Sequence, residues 1–159
     1  MDYQVIDTNV LMASNGVDTH ADRDCQQACA QRLKATQDHS TLVLDTGWEI
    51  LGEYQRRLAR GQPNYPGYIF FTWAARTAPG LRITLTPDET RTFKEFPPNE
   101  DLADFDEDDR KFVAAASEAS RSGPTCLVNA LDGDYEYHKS ALEAVGVQVD
   151  ELCPQHIGS

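Results

Sequence analysis

The chain opens on a short apolar run, Tyr3-Gln4-Val5-Ile6, that stops at Asp7. A run of this length reads as a strand, with Thr8-Asn9 as a polar turn before apolar Val10-Leu11-Met12. Ala21 to Ala35, rich in Ala, Gln and Arg, predicts a helix. Thr41 to Leu44 is a second strand, and Asp45 is a good N-cap for a helical segment from Trp48 to Arg60. There Leu51, Tyr54 and Leu58 share one face while Glu49 and Glu53 lie on another, and Gly61 and Pro63 end the segment. Pro66 to Arg76 predicts an aromatic-rich helix and Leu81 to Leu85 a strand. Pro97-Pro98 breaks the stretch from Pro87 to Asp109, which reads as a short helix and then an acidic loop. The remainder predicts a helix over Lys111 to Ser120 with an apolar stripe of Phe112, Ala115, Ala116 and Ala119. A strand at Cys126 to Val128, a helix over Tyr135 to Val145 and a last strand at Val147 to Val149 follow. Strands alternating with helices predict an α/β fold on a parallel sheet, with the ligand crevice beyond the strand C-termini.

Length and charge narrow the reading. The 159 residues fit one domain over 1–159, without room for a second. No apolar run approaches the roughly 20 residues of a membrane span, and no basic leader is visible, so a cytoplasmic address is expected. The formal net charge is −12, almost all of it carried by residues 88–159. Such a chain is poorly equipped to bind a polyanion unaided, because phosphate contacts depend on Lys and Arg. The four cysteines, Cys25, Cys29, Cys126 and Cys153, suggest neither a disulfide framework nor a CxxC pair. Cys25 and Cys29 are at helical spacing with His20 upstream, a pattern that suits either a metal site or buried apolar packing.

The acidic residues carry the candidate chemistry. Asp7 ends the first strand; Asp132 follows the Cys126 strand, with Asp134 two residues on. In a parallel sheet those strand ends share one edge. Glu53 and Asp109 lie on helices that begin on the same side in right-handed βαβ topology. Carboxylates crowded together raise one another's pKa and are tolerated with protons or cations between them, and Mg²⁺ or Mn²⁺ suits such hard oxygen ligands. Singly, each acid has a plainer role. Asp7 caps a turn, Glu53 pairs with Arg57 four residues on, Asp109 favours a helix dipole, and Asp132-Gly133-Asp134 is a turn sequence.

The ordered set Val5-Ile6-Asp7-Thr8-Asn9-Val10-Leu11, Glu49-Ile50-Leu51-Gly52-Glu53-Tyr54, Asp106-Glu107-Asp108-Asp109-Arg110-Lys111-Phe112 and Leu127-Val128-Asn129-Ala130-Leu131-Asp132-Gly133-Asp134 resembles the PIN-domain family, nearly end to end. The resemblance implies a Rossmann-like sheet of strand order 3-2-1-4-5 and Mg²⁺- or Mn²⁺-dependent nuclease activity, mostly on RNA. Many bacterial members look like toxins of toxin–antitoxin pairs, held by an inhibitor protein encoded beside them. By motif, Asp7, Glu53, Asp109 and Asp132 become the four acids, with Asp134 beside the last and Asp106 beside the third. Thr8 and Asn9 orient Asp7. The second-acid segment offers Glu49 as well as Glu53. The family's Ser or Thr two residues before the fourth acid is replaced by Ala130, with Asn129 one position further back.

The reaction class implied is metal-assisted phosphodiester hydrolysis with one or two ions. Arg56, Arg57 and Arg60, with Arg76 and Arg82, offer an RNA path or a solvated face. Tyr65, Tyr68, Phe70, Phe71 and Trp73 suit base stacking, core or a homodimer interface, with Phe71 expected in the core. His138 reads as a surface helix residue. Two rivals stand beside the nuclease. Aspartyl phosphotransfer wants an acid where Asn9 stands, and a scaffold would keep the fold and bind RNA or a protein without cutting.

Overall fold

In a computed structural model, which describes residues 2–58, 62–76 and 80–157, five parallel strands form one sheet in the order β3-β2-β1-β4-β5. The chain runs β1 (Tyr3–Ile6), α1 (Thr8–Asn15), α2 (Arg23–His39), β2 (Thr41–Asp45), α3 (Glu49–Arg57), α4 (Pro66–Arg76) and β3 (Leu81–Ile83). It continues through α5 (Arg110–Ala119), β4 (Thr125–Asn129), α6 (Asp134–Tyr137), α7 (Lys139–Ala144) and β5 (Gln148–Glu151). Strand β1 is central, its Tyr3 level with Thr41 on one side and Thr125 on the other. Val5, Ile6, Leu42, Val43, Leu44, Leu127 and Val128 are all buried, as strands covered on both faces require. The chain leaves β1 toward β2 and β3, then crosses back through α5 to β4. Right-handed crossovers in opposite directions place α1 and α5 on opposite faces. The reversal at β1 and β4 opens a crevice at their carboxyl ends. Among the described residues no helix is long and apolar enough to cross a membrane.

Several elements differ from the expectation. Thr8-Asn9 is the first turn of a helix, not a free turn. Asp7 caps it by accepting the Asn9 N–H at 2.9 Å, Val10, Leu11 and Ala13 bury its inner face, and Gly16 ends it at φ 69°. The acidic stretch forms two 3-10 turns, Glu100–Leu102 and Glu107–Asp109, in place of a short helix and loop. The Tyr135 helix is split at His138, which is buried rather than on the surface. The His138 ring nitrogens meet the Asp134 carbonyl and the Asp104 carboxylate, both at 3.0 Å. Burial opposes charging of this ring, but Asp104 and Asp134 outweigh it and raise its pKa. In α4 it is Phe70 that enters the core, while Phe71 is half-buried. Cys25 and Cys153, 128 residues apart, form a disulfide that the spacing did not suggest.

Two local features have identifiable causes. Asp45 does cap α3, from four residues away. Its carboxylate accepts the N–H groups of Gly47, Glu49 and Ile50 at 2.9–3.0 Å, while Trp48 takes the left-handed conformation. Helix α4 lies against α1 at Gly67, where a Cβ would stand 2.3 Å from the Leu11 carbonyl oxygen and 2.8 Å from Asn15 Oδ1. Gly67→Ala must push the two helices apart. We expect it to cost about 2–3 kcal/mol, within the range for overpacking, read from the midpoint of urea unfolding; an unchanged midpoint would contradict this packing.

Candidate metal centre

Each acid at the crevice is placed by local structure. Asp7 sits where β1 passes directly into α1, and its two oxygens are held apart: Oδ1 accepts the Asn9 N–H and Oδ2 accepts the Tyr135 hydroxyl at 2.7 Å. Asp109 closes a 3-10 turn and leads into α5, which carries it to the same rim. Asp132 is brought in by two asparagines. Asn9 Oδ1 accepts the N–H groups of Ala130 and Leu131 at 2.9 and 3.2 Å, and Asn9 Nδ2 donates to Asn129 Oδ1 at 2.8 Å. Asn129 Nδ2 in turn donates to the Asp132 carbonyl at 2.8 Å and to Glu151. Because only oxygen can accept the two backbone N–H groups, the Asn9 amide has one orientation, and that fixes its partner's.

The result is a cleft of about 340 Å³ in which one oxygen from each of Asp7, Asp109 and Asp132 lies within 4.8 Å of the others. Oxygens around one Mg²⁺ lie about 3–4 Å apart, given bonds of about 2.0–2.1 Å, so a small contraction suffices. Asp109 is only 8% exposed, and its Oδ2 is buried without a hydrogen-bond partner. A buried carboxylate oxygen with no donor is costly unless protonated or ligating. Its pKa is pushed up to about 11 by burial first, then by sharing its proton with Asp132 and by the charges of Asp7 and Asp132. Burial likewise raises Asp7 to about 7, with the Asn9 and Tyr135 hydrogen bonds pulling the other way and Glu53 and Asp132 adding repulsion.

Of the remaining predicted residues, Glu53 lines the cleft and Glu49 does not, which separates the two candidates for second acid. Both Glu53 oxygens are engaged, however. Oε1 pairs with Lys111 Nζ at 2.6 Å, and Oε2 accepts the Thr8 hydroxyl in a short hydrogen bond. Thr8 therefore positions Glu53, whereas Asn9 both orients Asp7 and holds the loop before Asp132. Asp134 does not join the three acids. Its Oδ2 accepts the Asp106 N–H at 2.9 Å, and Oδ1 lies 3.3 Å from His138 Nδ1. Asp106 lines the cleft while its carboxylate caps the following turn at Asp108. Arg57 lines the wall; Arg56 is exposed outside it, and Arg60 lies outside the described residues.

Sequence reasoning gave no site role to Lys111 or Tyr135, and it set His20 with Cys25 and Cys29, a group the histidine does not join. A lysine followed directly by Phe112 on the buried stripe of α5 is a signal for a paired buried charge, and Lys111 is 9% exposed. Tyr135, next to the Asp132-Gly133-Asp134 turn, is 1% exposed and touches Asp7 itself. His20 lines the cleft from the segment between α1 and α2.

The raised pKa of Asp7 makes a test independent of activity. Between about pH 4 and pH 7 the folded chain keeps a proton that the unfolded chain has lost, so this group's effect on stability becomes more unfavourable as pH rises. A shift of about three units corresponds to a ceiling of about 4 kcal/mol. We expect Asp7→Asn to stabilise the metal-free protein by about 1–3 kcal/mol at pH 8 and by little at pH 4, by thermal unfolding in chelator. Mn²⁺ should then raise the melting temperature of the wild type and not of the variant. Equal stability at both pH values would mean that Asp7 is not crowded. No protein-family model, curated protein or solved structure matches the chain.

Proposed function

We propose that this protein is a Mg²⁺- or Mn²⁺-dependent nuclease of the PIN type, cutting phosphodiester bonds in RNA. The observation that carries the reading is the meeting of Asp7, Asp109 and Asp132 at the point where the sheet reverses direction, with a buried Asp109 oxygen lacking any partner. The donor set is all hard oxygen, which fits those ions and not a soft metal. Asp7, Asp109 and Asp132 would hold the ion, which would supply charge neutralisation, Lewis acidity toward a phosphoryl oxygen and a more acidic water. Glu53 is already compensated by Lys111 and Thr8, which favours one ion over two.

The chain's own residues do the rest. Tyr135 and the Asn9 amide hold Asp7 still, and the Asn9–Asn129 pair keeps the Asp132 loop in register with it. Arg57 on the wall offers a cation to a backbone phosphate beside an otherwise acidic cleft. The preference for RNA, and an inhibitor protein as partner, rest on the family resemblance.

With Mn²⁺ and 5′-labelled single-stranded RNA, purified wild type should cut. Asp7→Asn and Asp132→Asn should lose activity by at least about 100-fold, the scale of losing one catalytic electrostatic contact. Arg57→Ala should raise KM more than it lowers kcat. Equal cleavage by wild type and Asp7→Asn would assign the activity to a contaminant. No cleavage of RNA or DNA by wild type with either ion would overturn the nuclease reading in favour of a binding scaffold.

A further inference from the structure

A second cluster of ligating side chains lies apart from the acids. Cys25, Cys29 and Cys153 are each fully buried, and their three sulfurs lie within 4.8 Å of one another. Cys25 and Cys29 are one helical turn apart on α2, so both side chains leave the same face. Cys153 arrives just after β5, at the start of the 3-10 turn Pro154–His156. The disulfide joins Cys25 to Cys153 and leaves Cys29, whose Sγ is 4.0 Å from Cys153 Sγ, as a third sulfur outside the bond.

We infer that, once the disulfide is reduced, Cys25, Cys29 and Cys153 form a thiolate site for Zn²⁺, with His156 as the fourth donor. Sulfurs on one tetrahedral Zn²⁺ lie about 3.8 Å apart, given Zn–S bonds of about 2.3 Å, so the Cys29–Cys153 separation already suits an ion. Three soft sulfurs with one imidazole is a donor set for zinc and not for Mg²⁺. Cys25 lies in the first turn of a 17-residue helix, where the backbone favours a thiolate. Cys153-Pro154-Gln155-His156 brings an imidazole onto the same 3-10 turn as the third thiol. In this structure the His156 ring lies outside the three-sulfur group: its Nε2 accepts the Asp22 N–H at 3.2 Å and lies 3.5 Å from Asp22 Oδ2, so it must leave Asp22 to reach the ion, while Asp22 Oδ1 caps Cys25 at 2.8 Å and keeps the ring beside the helix end that carries the first thiol.

The chemistry balances simply. A dithiol reductant gives two electrons and two protons to the Cys25–Cys153 bond, which breaks to two thiols while the reductant closes to its own disulfide. Zn²⁺ then displaces three thiol protons to solvent. The site would hold the C-terminal segment against α2 and against the segment that carries His20 to the cleft wall. It does not depend on the nuclease reading, because its donors and its spectroscopic signature are separate from the carboxylates.

The 159-residue chain, reduced with a phosphine under anaerobic conditions, would be titrated with Co²⁺ and followed by the near-ultraviolet thiolate-to-cobalt charge-transfer band, which carboxylates do not give. We expect saturation at one ion per chain and bleaching by Zn²⁺. Cys29→Ser and His156→Ala should each weaken binding by at least about tenfold, with Cys126→Ser unchanged. If Cys29→Ser does not fold, alkylation of reduced wild type with and without Zn²⁺ replaces it, with protection of Cys25, Cys29 and Cys153 but not Cys126 expected. Absence of the band, an unaltered titration in Cys29→Ser, or alkylation indifferent to Zn²⁺ would overturn the site. An unaltered titration in His156→Ala would overturn the assignment of the fourth donor.

Discussion

The structure turns on electrostatic crowding at one rim of the sheet. Two unit charges 4 Å apart repel by about 4 kcal/mol at an effective dielectric of about 20, and here three carboxylates share one mostly buried corner. The chain lives with this by keeping protons where isolated acids would be ionised, on Asp7 and above all on Asp109. The clamp that enforces the crowding is neutral. Asn9 and Asn129 tie the start of α1 to the loop after β4 through amide and backbone groups, so they add no charge to a corner that already has too much.

A few ångströms away the same cleft treats a fourth acid in the opposite way. Glu53 is matched by Lys111, and its second oxygen is capped by Thr8. A buried ion pair with its remaining lone pairs satisfied is close to neutral as a unit. Attraction for a cation is therefore concentrated on the three unmatched acids instead of being spread over the wall. Arg57 adds positive charge at the edge of that wall.

Much of this was legible from the order of residues. The apolar runs ending in Asp7, and the strand before the Asp132 turn, placed two acids at strand ends because a parallel strand covered on both faces leaves its polar residues at its tips. Asp109 followed from the helix it introduces. What could not be read were choices among competing partners. Asp134 has the same spacing advantages as Asp132, but the Asp106 amide and His138 take its oxygens. Glu49 and Glu53 are one turn apart, and only the packing of α3 decides which faces the crevice. The pairing of Cys25 with Cys153 spans nearly the whole chain, a proximity created by sheet order and invisible to local pattern. His138 was misread for a related reason: its partner Asp104 belongs to a distant turn.

The absence of any loop between β1 and α1 gives Asp7 two employers. It terminates a strand and caps a helix while also facing the cleft. Freed of any demand from the cleft, the position would still be held to a small set of side chains, since Asn, Ser or Thr can cap a helix and most others cannot. The position would thus drift from acid to amide or hydroxyl long before it became apolar, recording a change at the cleft inside an otherwise undisturbed fold.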